Sequence, residues 1–417
     1  MSRISQHLTI ALLLGYSALG TEGEGIASRC PTLPQENVAC IHNYASVLLL
    51  PFDRPKSLGE IFNPLDRFSN TSVPDPSFSL IRNASFLVFD QPRGLDILGP
   101  CPTLETIFTV EDVVHEAPVY VPGLNVLIAS AVDPDILSQV IINLNSTPPT
   151  ITDYTPNPPV YGVNGGRYKD GTVYWAVAGG SVTINSTTIE QVPGIYTLDP
   201  FTNTTKPILN NYFGQRFNSP DDLVLDPNGD IFFTDPWYGS KLNLTQELPV
   251  LHQQTYRFRP STGAVSVVDT SVGIPNGIAM SPDGRTLYIT DTSVTNFTGV
   301  DPAVVPRYTW DATAGKSLYA FDTVDSPAGK YLVNKRPIWY PEEIVDDGLH
   351  VAANGYIVGA AGFGVDVLSE WGELLVRVQT DFLVNNVQFV GRDLWLFGQG
   401  KIARAGWGLE GLEGGRS

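Results

Sequence analysis

The sequence predicts an all-β chain, a six-bladed β-propeller of four-stranded blades preceded by an extended N-terminal segment. Three observations lead there. Only 16% of the 417 residues are charged, Gly and Pro number 39 and 33, and Val, Ile, Thr, Tyr and Phe recur in short runs. That composition suits many short strands joined by tight turns. From about residue 84, apolar runs of strand length alternate with turn residues, and no stretch carries the 3.6-residue period of a long amphipathic helix. Finally, one phrase recurs: apolar strand, Asn/Asp/Gly turn, second apolar strand. It appears as DLVLDPNGDIFFTD (222–235), GIAMSPDGRTLYITD (277–291), GLHVAANGYIVGAAG (348–362) and VQFVGRDLWLFG (387–398), each with the signature of a tight hairpin. Two hairpins per unit, recurring every roughly 45 to 70 residues, describe four-stranded blades, and the chain beyond residue 84 accommodates about six. A two-sheet sandwich does not predict repetition of one hairpin phrase.

Taken in order, residues 1–20 read as a secretory signal peptide. Arg3 and His7 precede the apolar run LTIALLLGYSALG (8–20), which ends in the small residues Ala18 and Gly20. It is too short and wrongly flanked for a membrane span, and no later stretch is long and apolar enough to cross a bilayer. Seven N-x-S/T sequons, at Asn70, Asn83, Asn145, Asn185, Asn203, Asn243 and Asn296, fit a secreted glycoprotein. Cys30, Cys40 and Cys101 allow one disulfide and one free thiol, with the pairing open, and make a zinc site a poor fit. Residues 21–83, rich in Pro and Asn with the single apolar run ASVLLLPF, read as an extended segment wrapping the main body. Residues 84–417 then form the propeller. A formal charge of −18 and a pI near 4.6 exclude nucleic acid and anionic membrane as partners. They suit a protein that concentrates cations and acts on a small molecule; oligomeric state is not legible.

Four places set an acidic or amide side chain just before an apolar strand: HEAPVY with Glu116, NSPDDL with Asp221 and Asp222, IPNGIA with Asn276, and VDDGLH with Asp346 and Asp347. The innermost strand of every propeller blade starts at the same face of the central channel, so these side chains are expected to converge. Like charges gathered this way cost free energy unless a cation or a hydrogen-bond network takes them up. Oxygen donors in an irregular shell point to a divalent cation, Ca2+ first, with Mg2+ and Mn2+ behind it. No G-x-S-x-G elbow and no Gly-rich phosphate loop occurs. The aromatics Trp175, Trp237, Tyr238, Trp339 and Trp371 read first as packing, with the loop carrying Trp237 and Tyr238 placed to border the pocket.

These phrases resemble the gluconolactonase/regucalcin family of six-bladed propellers, especially its secreted fungal lactonohydrolase-like branch, over roughly residues 105 to 405. HEAPVY is similar to the family's E-G-P-x-W. FNSPDDLVLDPNGDIFFTDPWYG is similar to N-S-P-N-D-L-V followed by F-T-D-P-x-Y-G. IPNGIAMSPDGRTLYITDT and DDGLHVAANGYIVGAA match its P-N-G-L-A-x-S-P-D-G and P-D-G-L-x-V-D strands. The resemblance implies metal ligands at Glu116, Asn276 and Asp347. It implies hydrolysis of a sugar-acid or small natural-product lactone, with Asp347 as ligand and base and Asp221 as second candidate base and substrate contact. The family's usual N-D pair is D-D here, which adds a charge at Asp221; Asp222 keeps the role of a hydrogen-bonded carboxylate where the strand begins, and Asp235 is assigned to the far turn. His115 beside Glu116, and His350 just after Asp347, are the acid–base and substrate-binding candidates at the channel mouth. Strand alternation would instead turn each away from its acidic neighbour. Two alternatives share the scaffold: a non-hydrolytic, hetero-Diels–Alder-type cyclisation in fungal natural-product biosynthesis, and a binding propeller without catalysis.

Overall fold

A computed structural model describes residues 25–42, 47–55, 67, 69–110, 114–132, 138–184, 186–245, 248–298, 307–311, 313–343 and 347–412. The apolar run 1–20, the sequon Asn185 and Asp346 lie outside these residues, as does the side chain of Asn296. The expected all-β character is present. Four antiparallel four-stranded sheets follow one another along the chain. The first holds Val114–Val121, Val126–Ala131, Gln139–Asn143 and Thr150–Tyr154; the second Val163–Lys169, Thr172–Val177, Gly194–Asp199 and Thr204–Leu209. The third holds Leu223–Leu225, Ile231–Asp235, Gln254–Arg259 and Ala264–Asp269; the fourth Pro275–Met280, Thr286–Asp291, Leu318–Val324 and Tyr331–Trp339.

The turns inside the repeated phrase explain its recurrence. In DPNG, Asp226 accepts the backbone N–H of Asn228 (2.8 Å) and Asp230 (2.9 Å), and Gly229 takes φ +86°. In AANG, Asn354 accepts the N–H of Tyr356 at 3.1 Å, and Gly355 takes φ +92°. A short side chain that bonds its own backbone, followed by a residue free of the Cβ clash, closes each hairpin locally.

Gly180–Ile184 with Thr187–Gln191, and Thr295–Thr298 with Arg307–Trp310, form two-stranded sheets, and the remaining strands share one ten-stranded sheet. Its central strand, Leu374–Val390, is used twice. Residues near its start pair with Gly362–Leu368 on one side and Phe86–Val88 on the other, and its later part pairs with Asp393–Gly398. The sheet then continues to Lys401–Gly406 and to Thr103–Thr109, so a strand from the N-terminal quarter completes the C-terminal hairpins. The segment before residue 84 is more structured than an extended wrap. Val38–Ile41 adds to Phe86–Val88 in parallel, Cys30 and Cys40 are bridged by a disulfide, and Cys101 is free and exposed. Two helices, Phe78–Asn83 and Gln91–Leu98, flank that strand. The second begins at Asp90, whose side chain accepts the N–H of Arg93, carries a proline in its first turn and stops at Gly99. Eight residues are too few for helical periodicity to register.

Trp175 and Trp395 are fully buried between sheets, whereas Trp371, expected to pack, is 69% exposed. Arg377 and Asp366, directly opposite across two paired strands, form a buried two-pronged ion pair (Nε to Oδ1 2.7 Å, Nη2 to Oδ2 2.9 Å). Asn83, Asn145 and Asn243 are exposed, and Asn70 and Asn203 are half-buried. Among the described residues no helix is long and apolar enough to cross a membrane.

Candidate active site

Six positions far apart in sequence deliver one polar side chain each to a single cavity: Glu116, Asn164, Asp221, Asn276 and Asp347, at or just ahead of the first residues of a strand, and Asn385, within Leu374–Val390. The residue after several of them is glycine for a steric reason. A Cβ on Gly165 would run into the backbone of Asp221 and Asp222, and one on Gly277 into the carbonyl of Asp347. Neighbouring inner strands can therefore close on one another only where the side chain is absent.

Below this ring the channel is plugged. The Arg167 guanidinium donates from Nη2 to Asp222 Oδ2 (3.2 Å) and to the carbonyls of Ile278 (3.2 Å) and Leu349 (2.9 Å), tying three other strand beginnings to its own. Asp222 also accepts the N–H of Leu223 (2.8 Å) and of Ile278 (3.1 Å). It is a structural carboxylate whose charge Arg167 opposes, and it is not a free ligand.

The carboxylates above the plug lack such a partner. Burial, then the charges of Asp347 and Asp221, hold the Glu116 carboxyl well above the usual range. Burial, then Asp347 and Asp222, do the same to Asp221. Burial pushes Asp347 up to about 6, against the pull of the Asn385 and Asn276 amides. Among the described residues no lysine or arginine lines the cavity. Asp221 Oδ2 and Asn385 Oδ1 are buried without a hydrogen-bond partner. Uncompensated, oxygen-only and partly orphaned, this donor set fits a hard divalent cation. Among the described residues no group of three His, Cys, Asp or Glu side chains is gathered closely enough to hold a metal ion. Asn276 uses its Nδ2 on the Tyr238 hydroxyl (3.3 Å), leaving its carbonyl oxygen as the atom to offer.

A pH dependence follows. A carboxyl whose folded-state pKa lies above its unfolded value is ionised at a cost, so stability rises as pH falls through the folded pKa and levels off near the unfolded one. Asp347 at about 6 and Asp235, which burial pushes up to about 7, set that window. Chelator-treated protein is expected to melt at a higher temperature at pH 5 than at pH 7.5 in calorimetry. A lower melting temperature at pH 5 would contradict the uncompensated cluster.

Residues 114–396 match the family described as SMP-30/Gluconolactonase/LRE-like region. The chain belongs to this family. Within the SMP-30/gluconolactonase family it is similar to two Aspergillus oryzae proteins. Lactonohydrolase oryL is 41% identical over 393 residues, 93% of this chain and 88% of that protein. Lactonohydrolase oryH is 35% identical over 468 aligned positions, 98% of each. Among solved structures, a Xanthomonas campestris gluconolactonase superposes with a TM-score of 0.60 at 21% identity, over 76% of this chain and 93% of its own. The calcium-binding protein regucalcin from Agrobacterium tumefaciens does so with a TM-score of 0.51 at 15% identity, over 75% and 96%. Both likenesses concern the fold.

Of the residues singled out from sequence, the structure brings Glu116, Asp221, Asn276, Asp347, Tyr238 and His115 to this cavity. His115 arrives there against strand alternation, its Nε2 3.6 Å from Glu116 Oε1. The register shifts on both sides of Glu116 and Ala117 sits at φ +47°, so an irregularity lets adjacent side chains share a face. Three assignments are corrected. His350 lies in a separate pocket with Arg167 and Phe389, because three residues of strand carry it past the Arg167 plug. Trp237 faces another pocket and donates its indole N–H to the Leu251 carbonyl (3.0 Å), since the short helix Tyr238–Lys241 turns Tyr238 inward instead. Asp235 does not serve a far turn: it accepts the N–H groups of Asn218 (3.1 Å) and Ser219 (2.7 Å) just ahead of Asp221. Asp291 does the same for Gly273 and Ile274 ahead of Asn276, so the closing Asp of FFTD and YITD fixes the loop that presents the next functional side chain.

Asn164, Asn385 and Asn386 escaped the sequence reading. Asn385 Nδ2 donates to Asp347 Oδ2 (2.9 Å) and Asn386 Nδ2 to Glu116 Oε2 (3.2 Å). The signal was present, because NNVQFV stands ahead of its hairpin as DDLVLD does. Asn386 even bonds the N–H of Val387 (2.9 Å) as Asp222 bonds that of Leu223.

Proposed function

We propose that the protein is a secreted, calcium-dependent lactone hydrolase working at the acidic end of its central channel. The observation that carries this reading is the convergence of six polar side chains from distant parts of the chain, with buried carboxylates and no lining lysine or arginine among the described residues. The relatives named for lactone hydrolysis support the reaction class and give the cyclisation alternative no support. The neighbour named as calcium-binding supports the choice of ion. The channel is read as the axis of six four-stranded blades. In that reading the ten-stranded sheet holds two blades sharing the strand Leu374–Val390, which the irregular register near Val384 supports, with Ala27–Ser28, Val38–Ile41 and Phe86–Val88 added to one of them. Secretion is supported by the Cys30–Cys40 disulfide and the accessible sequons.

Glu116, Asn276 and Asp347 would hold the cation, with Asp221 beside them, and it would supply Lewis-acid polarisation of the lactone carbonyl. Asp347 takes a proton from the attacking water as its oxygen bonds the carbonyl carbon. Asn385 Nδ2, at 2.9 Å, fixes which carboxyl oxygen is free to do so. Collapse of the tetrahedral centre breaks the ring C–O bond, and the same proton passes to the departing ring oxygen. Asp221 is the second candidate for this role, while His115, against Glu116, stands where it can relay the proton to solvent. Cation-loaded protein is expected to open simple lactones with release of acid in a pH-stat assay. Failure to open any ring would overturn the proposal.

A further inference from the structure

We infer that the substrate is a lactone carrying an apolar, alkyl-type substituent, not a polyhydroxylated sugar lactone, and that Val132, Ala178, Leu242 and Leu244 receive the substituent. This rests on the lactone-hydrolase reading. Polar ring and apolar wall come from different parts of the repeat. The ring is built mostly from the beginnings of the first strands; the wall is built just beyond the second strands. Val132 follows Val126–Ala131, Ala178 follows Thr172–Val177, and Leu242 and Leu244 follow the short helix after Ile231–Asp235. Val132, Ala178 and Leu244 form one buried cluster against which Leu242 and Tyr161 pack, and four of these five line the cavity. Part of the cavity wall is therefore hydrocarbon.

Two of the lining hydroxyls are already spent within the protein, and the polar side chains that remain belong to the carboxylate–amide floor or stand beside it, as Asn164 and Ser219 do. Thr292 shares its hydroxyl with Tyr238 and donates it to the Ile274 carbonyl (3.2 Å), and Thr295 donates its own to the Thr292 carbonyl (2.6 Å). A sugar hydroxyl pressed against the Val132–Leu244 wall would lose water without gaining a partner, and burying an unpaired polar group is costly. A methylene there gains by leaving water. The cavity is amphipathic: the ester end belongs on the carboxylate–amide floor and the substituent on the wall.

The test is a series of γ-lactones, unsubstituted and with propyl, pentyl and heptyl side chains, beside gluconolactone, assayed on the cation-loaded protein. kcat/KM is expected to rise by about fourfold for each of the first few methylenes, the factor set by burying one such group, and gluconolactone should fall below the propyl compound. In the Val132→Thr/Leu242→Asn variant the pentyl-to-unsubstituted ratio should drop by about tenfold. A flat series, or gluconolactone as the best substrate, would overturn the inference while leaving lactone hydrolysis intact. No turnover of any ring would overturn the underlying reading and this one with it. The wild-type series decides the matter even where the variant folds poorly.

Discussion

Asp347→Asn is expected to lower kcat/KM for lactone opening by about 10²–10⁴-fold, the range a positioned general base contributes, and to leave the fold intact. The amide keeps an oxygen to accept from Asn385, and the backbone N–H of residue 347 still donates to the Ala360 carbonyl (2.9 Å). What disappears is a charge that adds to the cost of ionising Glu116 and Asp221. Metal-free Asp347→Asn protein should therefore melt no lower, and at pH 8 higher, than metal-free wild type, while losing activity when loaded. Activity within a few-fold of wild type would remove Asp347 from the mechanism. A collapse in melting temperature would make its role structural.

The largest effect on stability is expected far from the cavity, at Arg377. Asp366 is wholly buried, and its two carboxylate oxygens are matched by Arg377 Nε and Nη2; buried Glu343 also adds to the charge that Arg377 opposes. Arg377→Met strands that negative charge in the sheet, and breaking a buried pair from one side costs about 3–5 kcal/mol. Denaturant unfolding of Arg377→Met and of Arg377→Met/Asp366→Leu separates burial from pairing: the double variant should be the more stable of the two. Equal loss in both would mean that packing around Arg377 matters, not its charge.

The repeat was readable because its cause is local. DPNG and AANG close their hairpins with a side chain and a glycine a few residues apart, so the pattern survives in the linear sequence. Convergence of Glu116, Asp221, Asn276 and Asp347 was readable for the same reason, each being tied to the start of a repeated hairpin. What depended on distant contact was hidden. Thr103–Thr109 finds its partner some three hundred residues away, and nothing within its own sequence announces that pairing. His115 and His350, which read alike in the sequence, part in the structure: a backbone irregularity at Ala117 turns one into the cavity, and the other lies in a separate pocket with Arg167. Asn385 was missed although its hairpin carries the repeated phrase, because its amide pair lies inside the single long strand Leu374–Val390 and not after a turn. Asp221, where the resemblance implies Asn, has a buried oxygen without a hydrogen-bond partner, as Asn385 does, and under the proposed function its extra charge joins the cation's donor set.

The most direct measurement of the central claim is metal content and lactone turnover on the same sample, before stripping with a chelator, after stripping, and after returning Ca2+. A cation site built from Glu116, Asn276 and Asp347 predicts about one bound divalent ion per chain, turnover lost on stripping with the fold retained, and recovery at one equivalent. Full turnover by metal-free protein would contradict it.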